Sequence, residues 1–187
     1  MKSAATCAEK RSDSFIVPMP KPQLVAVDTN VLMRLADGHE ATIDAWQMLK
    51  RRIRPVQFVA LPTVMDELAS KLSDDSEPAV RVAVEKALRE LRSRWHFQPA
   101  DFNAVQDAIA VNAMQRLRDS GLIPYEERND ASIVAEAAVL NCVLLVSRDS
   151  HLTGIDLDKL ALLLRQLDLA TPIIATPETL LKKFYPK

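Results

Sequence analysis

Short apolar runs alternate along this chain with longer segments whose apolar residues recur at helical spacing. The first run, 24–27, is apolar throughout, as expected of a strand buried on both faces, and it stops abruptly at Asp28. Residues 40–53 place Ile43, Trp46, Met48, Leu49 and Ile53 on one helical face. Residues 56–61 read as a second buried strand, and Pro62 suits the first turn of a helix running to about Leu72. A helix over 79–95 follows, then one over 101–118 entered through Asp101 as N-cap. A polar segment precedes an alanine-rich helix over 130–140, and 142–146 is the clearest strand in the sequence. Residues 157–168 predict a helix, 173–175 a short strand, and 177–184 a closing helix capped by Thr176. Strands alternating with helices predict a parallel sheet covered on both faces. Residues 1–22, rich in Ser, Lys and Pro, read as a flexible N-terminal tail, and 23–187 as one domain.

Composition narrows the chemistry. The chain has 187 residues, 48% of them hydrophobic, which suffices for one core. It has only 3 glycines and neither a GxGxxG nor a GxxxxGK[ST] motif, so dinucleotide and P-loop sites lose their support. A net charge of -1 means that any polyanion site is local rather than a global field. The 2 cysteines, Cys7 and Cys142, give neither a disulfide framework nor zinc spacing, which fits a reducing cytoplasm. No segment is long and apolar enough to span a membrane.

The informative chemistry lies at the ends of elements. Asp28 and Asp149 each follow an apolar strand, Glu67 stands one turn into the helix after the second strand, and Asp130 opens the alanine-rich helix. In a parallel α/β sheet, strand ends and the following helix starts share one edge, so these acids are expected to converge. Two carboxylates about 4 Å apart repel by about 4 kcal/mol at an effective dielectric of 20, so a cation is expected among them. All-oxygen ligation favours Mg²⁺ or Mn²⁺, and a metal-held water is a ready nucleophile for a phosphodiester. Each acid also has a plainer reading. Asp130 alone suits a helix N-cap, Glu67 a solvated first-turn acid, and Asp149 a cap of the turn at Ser150. Asp28 has no local need for a cap. Asp66, about 100° from Glu67 around the helix, points elsewhere.

The segments VDTNVLMRL, LPTVMDELA, NDASIVAEAA and LLVSRDSHL, in this order, resemble the acidic motifs of PIN-domain ribonucleases. The resemblance spans roughly residues 24–184 and implies a three-layer α/β/α fold around a central parallel sheet. It also implies Mg²⁺- or Mn²⁺-dependent endonucleolytic cleavage of single-stranded RNA, with catalytic and metal-ligating acids on Asp28, Glu67, Asp130 and Asp149. Thr29 and Asn30 fall on the small polar positions after the first acid, and Ser147 stands where the family often has Thr. VapC-type toxins belong to this family, so an antitoxin protein and a second copy of the chain are the implied partners beside RNA. The apolar faces of 79–95 and 101–118 are the surfaces for such a copy.

Asn30 and Ser147 suit the orientation of metal ligands and equally suit simple turn chemistry. Arg148 can meet a phosphate or stand solvated. Lys50, Arg51, Arg52 and Arg54 form the densest basic run, with Arg51 and Arg52 as substrate-binding candidates, although cations at a helix end also have a dipole explanation. His151 lies near Asp149 but reads as an ordinary loop histidine. Two other functions compete: a catalytically silent PIN scaffold that binds RNA or protein, and a haloacid-dehalogenase-like phosphatase. The latter needs a second acid two positions after its nucleophilic Asp, where this chain has Asn30.

Overall fold

The structure is a computed structural model that describes residues 20–73 and 77–184. Most of the expected tail therefore lies outside the described residues. The chain runs β1 (Gln23–Val27), α1 (Thr29–Ala36), α2 (Glu40–Arg52), β2 (Val56–Ala60), α3 (Pro62–Ser70), α4 (Pro78–Ser93) and β3 (Phe97–Pro99). It continues with α5 (Ala104–Asp119), α6 (Arg128–Val139), β4 (Leu144–Val146), α7 (Ser150–Thr153), α8 (Leu157–Arg165), β5 (Ile173–Ala175) and α9 (Pro177–Phe184).

The five strands form one sheet in the order β3-β2-β1-β4-β5, and every pairing is parallel. From β1 the chain winds outward through β2 to β3, then returns past β1 to β4 and β5. Right-handed crossovers place the helices of these two halves on opposite faces, giving the three-layer α/β/α architecture. The direction of winding reverses between β1 and β4, whose registers align Val27 with Val146. That is the switch point where open sheets leave a crevice.

Local sequence explains most elements. Val25, Ala26 and Val27 of β1 and Phe58, Val59 and Ala60 of β2 are buried, as the continuous apolar runs require. Pro62 occupies the first turn of α3. Trp46 stacks on Phe58 (5.5 Å between centroids) and meets Trp95 edge-on (5.3 Å), joining α2, β2 and the end of α4. Helix α6 buries Ala131, Ile133, Val134, Ala135, Ala137 and Ala138, so its small residues let it pack closely in the core.

Four features depart from the sequence reading. Helix α5 is capped by Asn103, not Asp101: the Asn103 side chain accepts from the Val105 and Gln106 N–H groups while Gln106 Oε1 accepts from the Asn103 N–H. Helix α6 starts at Arg128, two residues before Asp130. Helix α1 and strand β3 were not foreseen. The first is one short amphipathic stretch directly after Asp28, and the second is three residues long and ends on proline.

Candidate metal centre and active site

Strand β1 ends where α1 begins, and Asp28 stands between them with only 5% of its surface exposed. Its backbone N–H continues the sheet onto Val146 O at 3.0 Å, which fixes it beside β4. Two side chains then grip one carboxylate oxygen. Asn30 Nδ2 and Ser147 Oγ each donate to Asp28 Oδ2 at 2.6 Å, leaving the other oxygen engaged by neither. Ser147 is completely buried, and its Oγ also accepts from the Asp149 N–H at 2.9 Å. Asn30 Oδ1 accepts from the Arg148 N–H at 3.3 Å. Asp28 and the loop after β4 are therefore bound into one network across the switch point. Burial, opposed by the Ser147 bond and reinforced by the negative charge of Glu67, raises the Asp28 carboxyl above its ordinary range.

Glu67 approaches from α3, half-buried, while Asp66 beside it is exposed. Its two oxygens are held from two elements. The buried Thr29 hydroxyl donates to Oε2 from the start of α1, and Asn129 Nδ2 donates to Oε1 at 2.7 Å from the start of α6. The phase set by Pro62 turns residue 67, not 66, toward the sheet.

Asp130 lies in the first turn of α6 and caps nothing, because the N-cap position belongs to Glu127. Its Oδ2 is buried without a hydrogen-bond partner. Burial and the charges of Asp149, Asp28 and Glu127 push its carboxyl up to about 7. Asp149 does cap: its Oδ1 accepts from the His151 N–H at 2.7 Å and opens α7. The capping reading thus describes Asp149 and fails for Asp130.

The structure adds two groups that sequence reasoning undervalued. His151 Nδ1 lies 3.6 Å from Glu127 Oε1, 3.6 Å from Asp130 Oδ2 and 3.7 Å from Asp149 Oδ1. Ligand atoms of Glu127, Asp130 and His151 all fall within 4.8 Å of one another. The spacing of Glu127 and Asp130, three residues apart at a helix start, was the available signal. Thr29 and Asn129, noted only as motif neighbours, hold Glu67. Arg148 is paired with Glu178 at the start of α9 rather than standing free. Arg51 and Arg52 are not brought to this site: they end α2, shortly before β2 starts, and so lie at the opposite edge of the sheet. Their basic run is explained by the α2 carboxyl terminus.

Asp28, Glu67, Asp130 and Asp149 thus lie at the carboxyl edge of the sheet, near enough to raise one another's carboxyls, with His151 beside Asp130 and Asp149. The buried Asp130 oxygen without a hydrogen-bond partner, and the ligand atoms of Glu127, Asp130 and His151 gathered around it, fit a divalent cation. No helix among the described residues is long and apolar enough to cross a membrane.

A family model described as "PIN domain" matches residues 25–157. Among solved structures, the chain is similar to VapBC2 from Rickettsia felis bound to a DNA fragment from their promoter, with a TM-score of 0.56 and 17% identity over 82% of this chain and 98% of that one. It is also similar to FitAcB from Neisseria gonorrhoeae, with a TM-score of 0.49 and 15% identity over 82% of this chain and 98% of that one. Among curated protein sequences, none matches.

Proposed function

This chain belongs to the PIN domain family, and from that premise we propose that it is a Mg²⁺- or Mn²⁺-dependent endoribonuclease that hydrolyses phosphodiester bonds of single-stranded RNA, as the cytoplasmic toxin of a toxin–antitoxin pair. The observation that carries the nuclease reading is the buried Asp28 at the switch point, facing the ends of three other acidic elements. Asp28, Glu67, Asp130 and Asp149 would hold the metal. When bound, it would supply charge neutralisation at the scissile phosphate and a lowered pKa for an attacking water.

The chain's own residues prepare that site. Asn30 and Ser147 fix the Asp28 carboxylate in one rotamer, and Thr29 and Asn129 do the same for Glu67. Asn30 donates to Asp28 where a phosphatase would need an acid, so the dehalogenase-like alternative falls away.

The likeness to the VapBC2 structure supports an antitoxin as partner. A second copy of the chain is the other proposed partner, with the exposed Val105, Ile109 and Val111 of α5 as its surface.

The test is cleavage of single-stranded RNA with Mg²⁺ or Mn²⁺ by the wild type and Asp28→Asn. We expect a loss of at least about 100-fold in the variant, the scale on which a group acting directly on the reacting phosphate counts. Equal activity in both refutes the assignment. Metal binding without cleavage of any RNA instead favours a silent scaffold.

A further inference from the structure

Beside the acids, a cleft of about 520 Å³ opens between α3 and α6. Glu67 and Asn129 form the wall it shares with the site, and its outer wall carries Lys71, Arg128, Ser70 and Ser132. We propose that this cleft binds the single-stranded RNA on one side of the scissile phosphate, with flanking backbone phosphates on Arg128 and Lys71; this rests on the ribonuclease reading above.

Three observations support it. Arg128 and Lys71 are exposed, and among the described residues neither side chain has a hydrogen bond or ion pair. Other cations near the site are already used: Arg148 pairs with Glu178, while Arg118 donates to the Tyr125 carbonyl at 2.7 Å and lies 3.9 Å from its ring. Unused cations beside a cluster of acids are a charge pattern suited to a polyanion drawn along the site rather than onto it.

The second observation is position. Arg128 is the first residue of α6, where the helix's unpaired N–H groups add positive potential. Lys71, the C-cap of α3, follows Glu67 by four residues, on the same side of that helix. The two cations therefore flank the cleft from both of its helices.

The third is the remainder of the lining. Ser70, Ser132 and Asp66 give hydroxyls and a carboxylate, which suit ribose hydroxyls and base edges. The cleft holds no apolar pocket for a drug-like ligand or a hydrophobic peptide anchor.

The experiment compares wild type, Arg128→Ala, Lys71→Ala and the double variant. A short fluorescent oligouridylate is bound without divalent metal, and cleavage of a longer single-stranded RNA is followed with it. Each single change should weaken binding and raise KM about fivefold, the scale of one exposed ion pair. The double variant should flatten the slope of log affinity against log salt by about 1.4, at about 0.7 per lost phosphate contact on a single strand. Both side chains are exposed and unpartnered, so melting temperatures should be unchanged. Wild-type affinity and salt slope in the double variant overturn the inference. So does a loss confined to an acidic polypeptide such as polyglutamate, which would mark a protein-binding cleft. If the wild type cuts RNA and the variants behave like it, only this inference fails; if the wild type neither binds nor cuts RNA, the ribonuclease reading fails with it.

Discussion

Replacing Asp130 with asparagine should make the metal-free protein more stable while disabling it. Asp130 is the acid whose ionisation costs the fold most visibly: its Oδ2 is buried and unpartnered, and its pKa is raised from 3.8 to about 7 by burial and by Asp149, Asp28 and Glu127. The folded state therefore binds the proton more tightly than the unfolded chain. The stability this gives is fully present below the unfolded value and is lost as pH rises toward the folded one. The raised value corresponds nominally to about 4 kcal/mol against the ionised form. The site is open on one side, and solvent reduces the cost to about 1–2 kcal/mol. Asparagine keeps the shape, removes the charge and breaks no hydrogen bond at Oδ2. At pH 8 in a chelator, Asp130→Asn should melt about 2–8 °C above the wild type, at about 2–4 °C per kcal/mol for a chain of this size. At pH 4 the two should converge. Saturating Mg²⁺ or Mn²⁺ should stabilise the wild type at pH 8 and the variant much less. Thermal melts across pH, with and without metal, decide it. A variant less stable than the wild type at pH 8, or a difference between the two that does not shrink from pH 8 to pH 4, would refute the electrostatic account.

Ser147→Ala removes a buried bond to the Asp28 carboxylate and should cost about 1–3 kcal/mol in chemical denaturation, with reduced RNA cleavage. Ser147→Thr, which keeps the hydroxyl, should restore cleavage. Glu136 of α6 accepts from the Thr63 N–H (3.1 Å) and hydroxyl (2.6 Å) at the start of α3, so it anchors the helix that carries Glu67. Glu136→Ala should therefore destabilise the protein by about 2–3 kcal/mol in denaturant titration. Changing Arg51 and Arg52 together to alanine should affect RNA affinity less than changing Arg128 and Lys71, measured by anisotropy at one salt concentration.

The parts of the fold legible in sequence were those that bury long apolar runs. β1, β2 and β4 announced themselves because both faces are covered, and α9 was bounded exactly by Thr176, whose hydroxyl accepts from the Thr179 N–H. Strand β3 was not legible, because three edge residues carry no period. The grouping of the acids at one sheet edge follows from the parallel order alone. Their individual holders do not: Thr29 meets Glu67 across 38 positions, and Asn129 meets it across 62. Arg148 looked free because its partner, Glu178, is placed only once β5 has paired with β4. His151 looked like a loop residue because the polar run 126–130 hides where α6 begins, and that start is what brings Glu127 and Asp130 to the same ring nitrogen.

The hydrogen bond from Ser147 to Asp28 spans 119 positions, and β4 takes its place between β1 and β5 only after α6 has been made. A chain still emerging from a ribosome can carry Asp28, Glu67 and Asp130, with Asn30 already beside the first acid, yet it lacks the Ser147 bond and the fourth acid until β4 has docked. The proposed nuclease would therefore remain inert until β4 has been made and has docked on β1.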